Sequence, residues 1–292
     1  MLRRRRPMLT GFLLTLALVE VGLPLILFVL RDRMVFLPSR RPTAQEGLGY
    51  LRGRADVGLV WVPRRDGRLL AAYDAQPITA GDSGDPVVLF LHGNGGNIAG
   101  RAPILEEFVA GTGLRTLMVD YSGYGDNAGA PSEAEAHLDA LAAFEWLVAE
   151  GVAPGRIVIY GESLGAAIAL GVAAERECAA VVVQSGFASL SSMAFEIYPW
   201  LPLTGLLSQG SFPSSRRAAR LEVPLLITHG TEDRVIPFSQ GEKLFAAAGE
   251  GAEFLPIAGA GHNDFFAVAG SDYLAMLGRK SRAWTATSMT DR

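Results

Sequence analysis

Residues Ile157-Val158-Ile159-Tyr160-Gly161-Glu162-Ser163-Leu164-Gly165-Ala166-Ala167-Ile168-Ala169 constrain the fold of this chain more than any other stretch. Four β-favouring residues run into Gly-x-Ser-x-Gly, and an Ala-, Leu- and Ile-rich helical pattern follows at once. A strand that becomes a helix in so few residues needs a strained corner at Ser163, which lifts the hydroxyl clear of the sheet. Gly161 and Gly165 suit that corner because a side chain at either position would meet the neighbouring strand or helix. The corner also leaves the Leu164 amide free at a helix N-terminus. The pattern by itself is common by chance, so the rest of the chain must supply its partners.

With 292 residues, of which 49% are hydrophobic, the chain can bury the core of one large α/β domain or two small ones. The formal charge of −4 hides an asymmetry. Residues 31–292 carry 22 basic and 29 acidic side chains, and an acidic domain argues against nucleic acid as a partner. Cys178 is the single cysteine, so neither an intramolecular disulfide nor a cysteine-based metal cluster is available. Its setting before Val181-Val182-Val183 reads as a small buried residue.

Residues 1–7 form a basic tail with Arg3 to Arg6. Residues 8–30 are 23 residues with one charge, Glu20, and one proline, Pro24. Such a stretch is long enough to cross about 30 Å of hydrocarbon as a helix. It is too long for the apolar region of a cleaved signal, and no small-x-small site precedes Arg31. The expectation is an uncleaved single-pass anchor. The leading arginines favour a cytoplasmic N-terminus with the main domain on the far side, periplasmic or luminal. Arg31, Arg33, Arg40 and Arg41 at the other end blunt that bias. Residues 31–56, rich in Arg, Pro and Gly, read as a connector.

From residue 57 to about 283 the chain alternates. Val57–Val62 and Leu69–Tyr73 read as a hairpin around Arg65-Asp66-Gly67-Arg68. Val87–Leu91 is an apolar run suited to a strand buried on both faces. Helices are expected over about 101–111, from Pro131-Ser132-Glu133 to about Glu150, from Ser239 to about Ala248, and finally to about 283. Further strands are expected at Thr116–Val119, Ala180–Val183, Leu225–Thr228 and Glu253–Ile257. This rhythm predicts a mostly parallel sheet with helices on both faces. Residues 186–220 break it and read as a small, partly helical insert over the site. Residues 284–292 are expected to fray.

A serine hydroxyl becomes a good nucleophile only when a base takes its proton and a third group orients that base. Among the four histidines, His137 sits mid-helix, and His92 and His229 follow buried strands where they would prop their own loops. His262, in Gly259-Ala260-Gly261-His262-Asn263-Asp264, is the best base. Asp233 follows strand Leu225–Thr228 at its carboxyl end, where sites in open α/β sheets gather. Glu232 and Asp264 are rivals for the acid, the first more suited to solvent and the second to bracing its loop. Oxyanion donors are expected from the Leu164 amide and the Asn94 amide, the latter in His92-Gly93-Asn94-Gly95-Gly96. That loop lacks the Gly-Lys-Ser/Thr of a phosphate cradle and the G-x-G-x-x-G of a dinucleotide fold.

His-Gly-Asn-Gly-Gly-Asn-Ile, Asp120-Tyr-Ser-Gly-Tyr-Gly with Pro131-Ser-Glu, Gly-Glu-Ser-Leu-Gly, His-Gly-Thr-Glu-Asp-Arg-Val-Ile-Pro and Gly-His-Asn-Asp together resemble the α/β-hydrolase superfamily. Within it they look closest to the single-pass, membrane-anchored serine hydrolases of the alpha/beta-hydrolase domain-containing protein 13 type. The resemblance spans about residues 57–283. It implies Ser163 as nucleophile, His262 as base, Asp233 as acid, and Asn94 and Leu164 as oxyanion donors. Where that branch usually has Asp-Tyr-Arg-Gly-Tyr-Gly, this chain has Ser122, which puts the local loop packing in question.

The resulting expectation is a hydrolase of an acyl ester, thioester or lipid-like substrate near a membrane, with no metal and no cofactor required. A serine peptidase and a catalytically silent, membrane-tethered scaffold on the same fold are the alternatives. The aromatic insert (Phe187, Phe195, Tyr198, Trp200, Phe212) suits acyl groups or plain packing equally. Oligomeric state is not readable from the sequence.

Overall fold

The computed structural model describes residues 11–290 apart from 13, 17 and 80–83. The basic tail 1–7, the start of the apolar stretch at 8–10 and the last two residues lie outside the described residues.

Eight strands build the central sheet: β1 (Ala55–Pro63), β2 (Leu69–Pro77), β3 (Val87–Leu91), β4 (Thr116–Val119), β5 (Ile157–Glu162), β6 (Ala180–Gln184), β7 (Leu225–Gly230) and β8 (Glu253–Ile257). Their spatial order is β8-β7-β6-β5-β3-β4-β2-β1. The six strands from β3 onward pair in parallel, while β2 runs antiparallel to both β4 and β1. Apolar runs without alternation explain the centre: β3, β6 and β7 are buried along their whole length. Successive side chains then feed two cores. Leu89, Leu91, Ile159 and Val181 pack under helices Glu133–Ala149, Leu164–Ala173 and Phe238–Ala247. Val88, Phe90, Val158 and Val182 pack under Ile98–Thr112 and Phe265–Thr290. The expected mostly parallel sheet with helices on both faces is what forms.

Ser122, the departure in the Asp120 loop, is packed from outside that loop. The Arg64 guanidinium, on the β1–β2 turn, donates to Asp139 Oδ1 at 2.5 Å, Glu135 Oε2 at 2.9 Å and Ser122 Oγ at 3.3 Å. Arg68 reaches the same hydroxyl at 3.1 Å, and the Ser122 amide donates to Asp139 Oδ2 at 2.6 Å. The hairpin supplies the positive charge to this loop, so the serine is accommodated.

The N-terminal region differs from expectation. Among the described residues no helix is long and apolar enough to cross a membrane. In the described part of the stretch expected to be one spanning helix the helical pattern changes, from a π-helical turn at Leu18–Gly22 to an α-helix at Leu23–Val29. Pro24 gives a physical reason, because it has no N–H for the carbonyl one turn earlier, and such gaps are accommodated by locally wider turns. The connector is also more structured than its composition suggests. Leu37–Pro38 pairs in parallel with Gly95–Gly96. Thr43 and Glu46 form a capping box on the short helix Ala44–Gly47. Phe36 and Ala44 are buried in the two cores.

The insert is helical at Leu190–Ile197, Pro202–Leu207 and Ser214–Ala218. The final helix, Phe265–Thr290, runs past the expected end and breaks at Gly270, whose φ of 67° and ψ of −173° are not helical.

Candidate active site

Ser163 sits at the turn between β5 and helix Leu164–Ala173 with φ 55° and ψ −115°. A non-glycine residue tolerates that backbone only when its surroundings impose it. They do so here from both sides. A Cβ at Gly165 would come 2.0 Å from the Leu91 carbonyl oxygen, and one at Gly161 would come 2.4 Å from that of Gly165. The absent side chains let helix and strand close to backbone contact. The Ser163 amide donates to the Gln184 carbonyl of β6 at 2.8 Å, which fixes the corner to the next strand.

Asp233 lies after β7 and His262 after β8, so three strands deliver three side chains to the carboxyl edge of the sheet. His262 Nε2 is 3.0 Å from Ser163 Oγ and its Nδ1 is 2.7 Å from Asp233 Oδ2. The other Asp233 oxygen accepts from the amides of Val235 at 2.9 Å and Ile236 at 2.8 Å. Burial pushes the Asp233 carboxyl up, but the bonds and charge from His229, His262 and the Ile236 amide outweigh it and hold the group well below the usual carboxylate range. An ionised carboxylate only accepts, so the proton on Nδ1 points at Asp233 and the Nε2 lone pair faces the serine hydroxyl. An imidazole so placed can take that proton.

Leu164 is the first residue of its helix, so its N–H has no partner within the helix. Asn94 lies across the cleft and shares a cavity with Ser163 and Leu164. Its loop is held from three directions. The Asn94 carbonyl accepts from the Leu37 amide at 3.0 Å and the Tyr124 hydroxyl at 2.6 Å, and its Nδ2 donates to the Val35 carbonyl at 2.9 Å.

Two cavities flank the Ser163–His262 contact. Ser163 lines one of about 330 Å³, whose walls are mostly apolar and include Phe187, Met193 and Ile236. His262 lines a separate one of about 350 Å³ with Arg41, Arg101, Glu162 and Gln184. The two share no lining residue.

The other candidates fall where their sequence settings suggest. Glu232 is exposed, and Asp264 accepts from the Gly261 amide at 2.7 Å, bracing the loop of His262. His137 pairs with Glu175 at 2.8 Å, away from Ser163. His92 Nδ1 lies 2.7 Å from the Gly93 carbonyl oxygen, so it props its own loop. His229 does more than that. Its Nε2 is 2.9 Å from the Ile236 carbonyl oxygen and 3.5 Å from Asp233 Oδ2. The shorter contact is the hydrogen bond and the longer one adds to the Asp233 field. Tyr124 and the Val35–Leu37 backbone, which hold Asn94, carry no motif; only the aromatic pair in Asp120-Tyr-Ser-Gly-Tyr hints at them.

A family profile described as the alpha/beta hydrolase fold matches residues 86–212. An uncharacterized protein of Mycobacterium tuberculosis is 40% identical over 249 residues, covering 85% of this chain and 86% of that protein. Alpha/beta hydrolase domain-containing protein 17C of Mus musculus is 35% identical over 205 residues, covering 68% of this chain and 60% of that protein. Among solved structures, an esterase of Pyrococcus furiosus aligns with a TM-score of 0.64 at 18% identity, over 85% of this chain and 99% of that one. At that identity the likeness speaks for the fold alone. Sheet order, strained serine corner and relatives agree: the chain belongs to the α/β-hydrolase superfamily.

Proposed function

We propose that this protein is a serine hydrolase that cleaves a carboxylic ester or thioester through an acyl-enzyme. The observation that carries the reading is His262 bridging Ser163 and Asp233 at hydrogen-bond distance on a strained turn. Ser163 Oγ attacks the carbonyl carbon while its proton passes to His262 Nε2. Ionised Asp233 holds the Nδ1–H and stabilises the imidazolium that results. The carbonyl oxygen, now an anion, is received by the amides of Leu164 and Asn94, each donor worth on the order of 3 kcal/mol of barrier. The tetrahedral adduct collapses, and the leaving group departs with the proton from His262. A water molecule then gives its proton to His262, attacks the acyl carbon and releases the acid, which regenerates Ser163.

The cavity chemistry divides the substrate. The apolar cavity beside Ser163 suits the acyl portion, and the more mixed cavity beside His262, with charged Arg41, Arg101 and Glu162, suits the leaving group, because the proton is handed over on that side. This favours a lipid-like acyl substrate over a peptide. Likeness of the motifs to the protein 13 type of serine hydrolase is part of the same reading.

Membrane attachment through residues 8–30 belongs to this proposal too. Its support is the hydropathy of that stretch and the exposure of Phe12, Leu14, Leu18, Leu25, Ile26 and Val29. Arg3 to Arg6 favour a cytoplasmic N-terminus with the hydrolase domain on the far side. Reactivity of single cysteines introduced at residues 35–45 toward an impermeant reagent in intact cells tests the orientation. Labelling only after permeabilisation would reverse it.

Fluorophosphonate labelling tests the catalytic reading without assuming a substrate. The wild type is expected to label, and Ser163→Ala is expected not to. A folded wild type that stays unlabelled, with the probe shown to reach the cavity, would sink the hydrolase and favour a tethered scaffold.

A further inference from the structure

The apolar cavity beside Ser163 is not built by the hydrolase domain alone. One wall consists of Leu27, Phe28, Met34 and Val35, from the stretch that precedes the sheet. The insert forms the opposite wall, with Met193 and Ile197. Helix Leu23–Val29 packs on insert helix Pro202–Leu207, so the two walls support each other. The Arg31 guanidinium stands 4.3 Å from the centre of the Phe28 ring and also borders the cavity, leaving one charged corner in a mostly apolar lining.

The same piece of chain continues into the loop that carries Asn94. The Val35 carbonyl and Leu37 amide bind Asn94, and the Ser39 amide donates to the Gly96 carbonyl at 2.9 Å. Residues 27–39 therefore touch the cavity on one side and the Asn94 loop on the other.

Resting on the serine-hydrolase reading above, we infer that residues 27–35 are the chain-length gauge of the site: a straight acyl chain attached to Ser163 lies between this segment and the insert. Ser163 opens into this cavity and Leu27, Phe28, Met34 and Val35 offer only apolar side chains to it. Each methylene that enters such a wall leaves water, which raises kcat/KM about fourfold per carbon, the equivalent of about 0.8 kcal/mol. The gain ends where the cavity ends, and Leu27 and Phe28 set that point.

The test uses the full chain in detergent micelles with p-nitrophenyl esters from acetate to dodecanoate. The wild type is expected to show kcat/KM rising about fourfold per carbon to an optimum and then falling. Leu27→Trp fills the cavity and is expected to lower the ratio of kcat/KM for decanoate over butyrate at least tenfold. Phe28→Ala enlarges it and is expected to move the optimum to longer chains, which guards against a folding failure in the first variant. Leu25→Trp, on the exposed side of the same helix, is expected to keep the wild-type profile. A wild-type profile in both Leu27→Trp and Phe28→Ala overturns the gauge. An unlabelled, inactive wild type overturns the hydrolase reading instead, so the two failures are distinguishable.

Discussion

Ser163 and His262 stand 3.0 Å apart, side chain to side chain, across a boundary between two cavities that share no lining residue. One side of that contact is apolar and the other is lined by Arg41, Arg101 and Glu162. In the proposed reaction, a proton that crosses it moves from the acyl side to the leaving-group side. Ser163→Ala and His262→Ala are each expected to lower kcat by at least 10⁴-fold, and Asp233→Asn by roughly 10³–10⁴-fold. Steady-state kinetics on a short ester, with circular dichroism to verify folding, checks all three.

Asp233 also makes a pH prediction. Its folded value is depressed, so the stability it contributes is complete above its ordinary value near 3.8 and is lost as pH falls below that. Acid unfolding of the wild type and of Asp233→Asn should therefore diverge above about pH 4 and converge below it. Parallel acid-unfolding curves would contradict this.

Asn94→Ala keeps a backbone N–H but removes the bond from Nδ2 to the Val35 carbonyl that helps to position it. A neutral hydrogen bond is worth about 0.5–1.5 kcal/mol, so kcat should fall about three- to tenfold with little change in KM.

Gly165→Ala would drive a methyl to 2.0 Å from the Leu91 carbonyl oxygen, backbone against backbone. Neither partner is a flexible side chain, so the variant is expected to lose more than about 3 kcal/mol or fail to fold, as seen by urea denaturation.

The Arg64 side chain is 6% exposed and that of Asp139 is fully buried. Burial raises the Asp139 carboxyl despite its bonds to Ser122 and Arg64. Asp139→Ala leaves Arg64 paired with Glu135 and Asp66 but takes the acceptor from the buried Ser122 amide, and should cost about 1–3 kcal/mol by urea denaturation.

Burial pushes the Cys178 thiol up to about 12 from 9.0. It should resist thiol reagents at pH 8 in the native state and react fully in guanidinium. Between pH 9 and 12 this thiol binds fewer protons in the unfolded chain, so it should contribute a fall in stability of about 1 kcal/mol per pH unit, the part of the slope that Cys178→Ala removes.

The sheet was legible because buried parallel strands announce themselves as apolar runs; Val87–Leu91 and Thr116–Val119 match their expected bounds residue for residue. Ser163, Asp233 and His262 could be selected because few histidines exist and each candidate occupies a distinct strand end. Periodicity cannot reveal contacts made by two residues at a time. The pairing of Leu37–Pro38 with Gly95–Gly96 leaves no pattern in either segment, and neither does the approach of His229 to Asp233. Hydropathy over residues 8–30 reads composition alone, whereas the path of Leu18–Val29 also depends on Pro24 and on the insert helix it meets. The last helix continues to Thr290, past its expected end, with its one non-helical residue at Gly270.

The two-residue pairing at Leu37–Pro38 has a practical consequence for anyone purifying this protein. Trimming the greasy front end, a natural route to a well-behaved soluble sample, would seem harmless because Ser163, Asp233 and His262 all lie far downstream. A version starting at Ala55 would keep those three side chains and the whole hairpin. It would lack the Val35 carbonyl and the Leu37 amide that pin Asn94, and it would open the Ser163 cavity along one flank. Poor turnover by such a trimmed sample would report the missing brace rather than the chemistry of the intact protein.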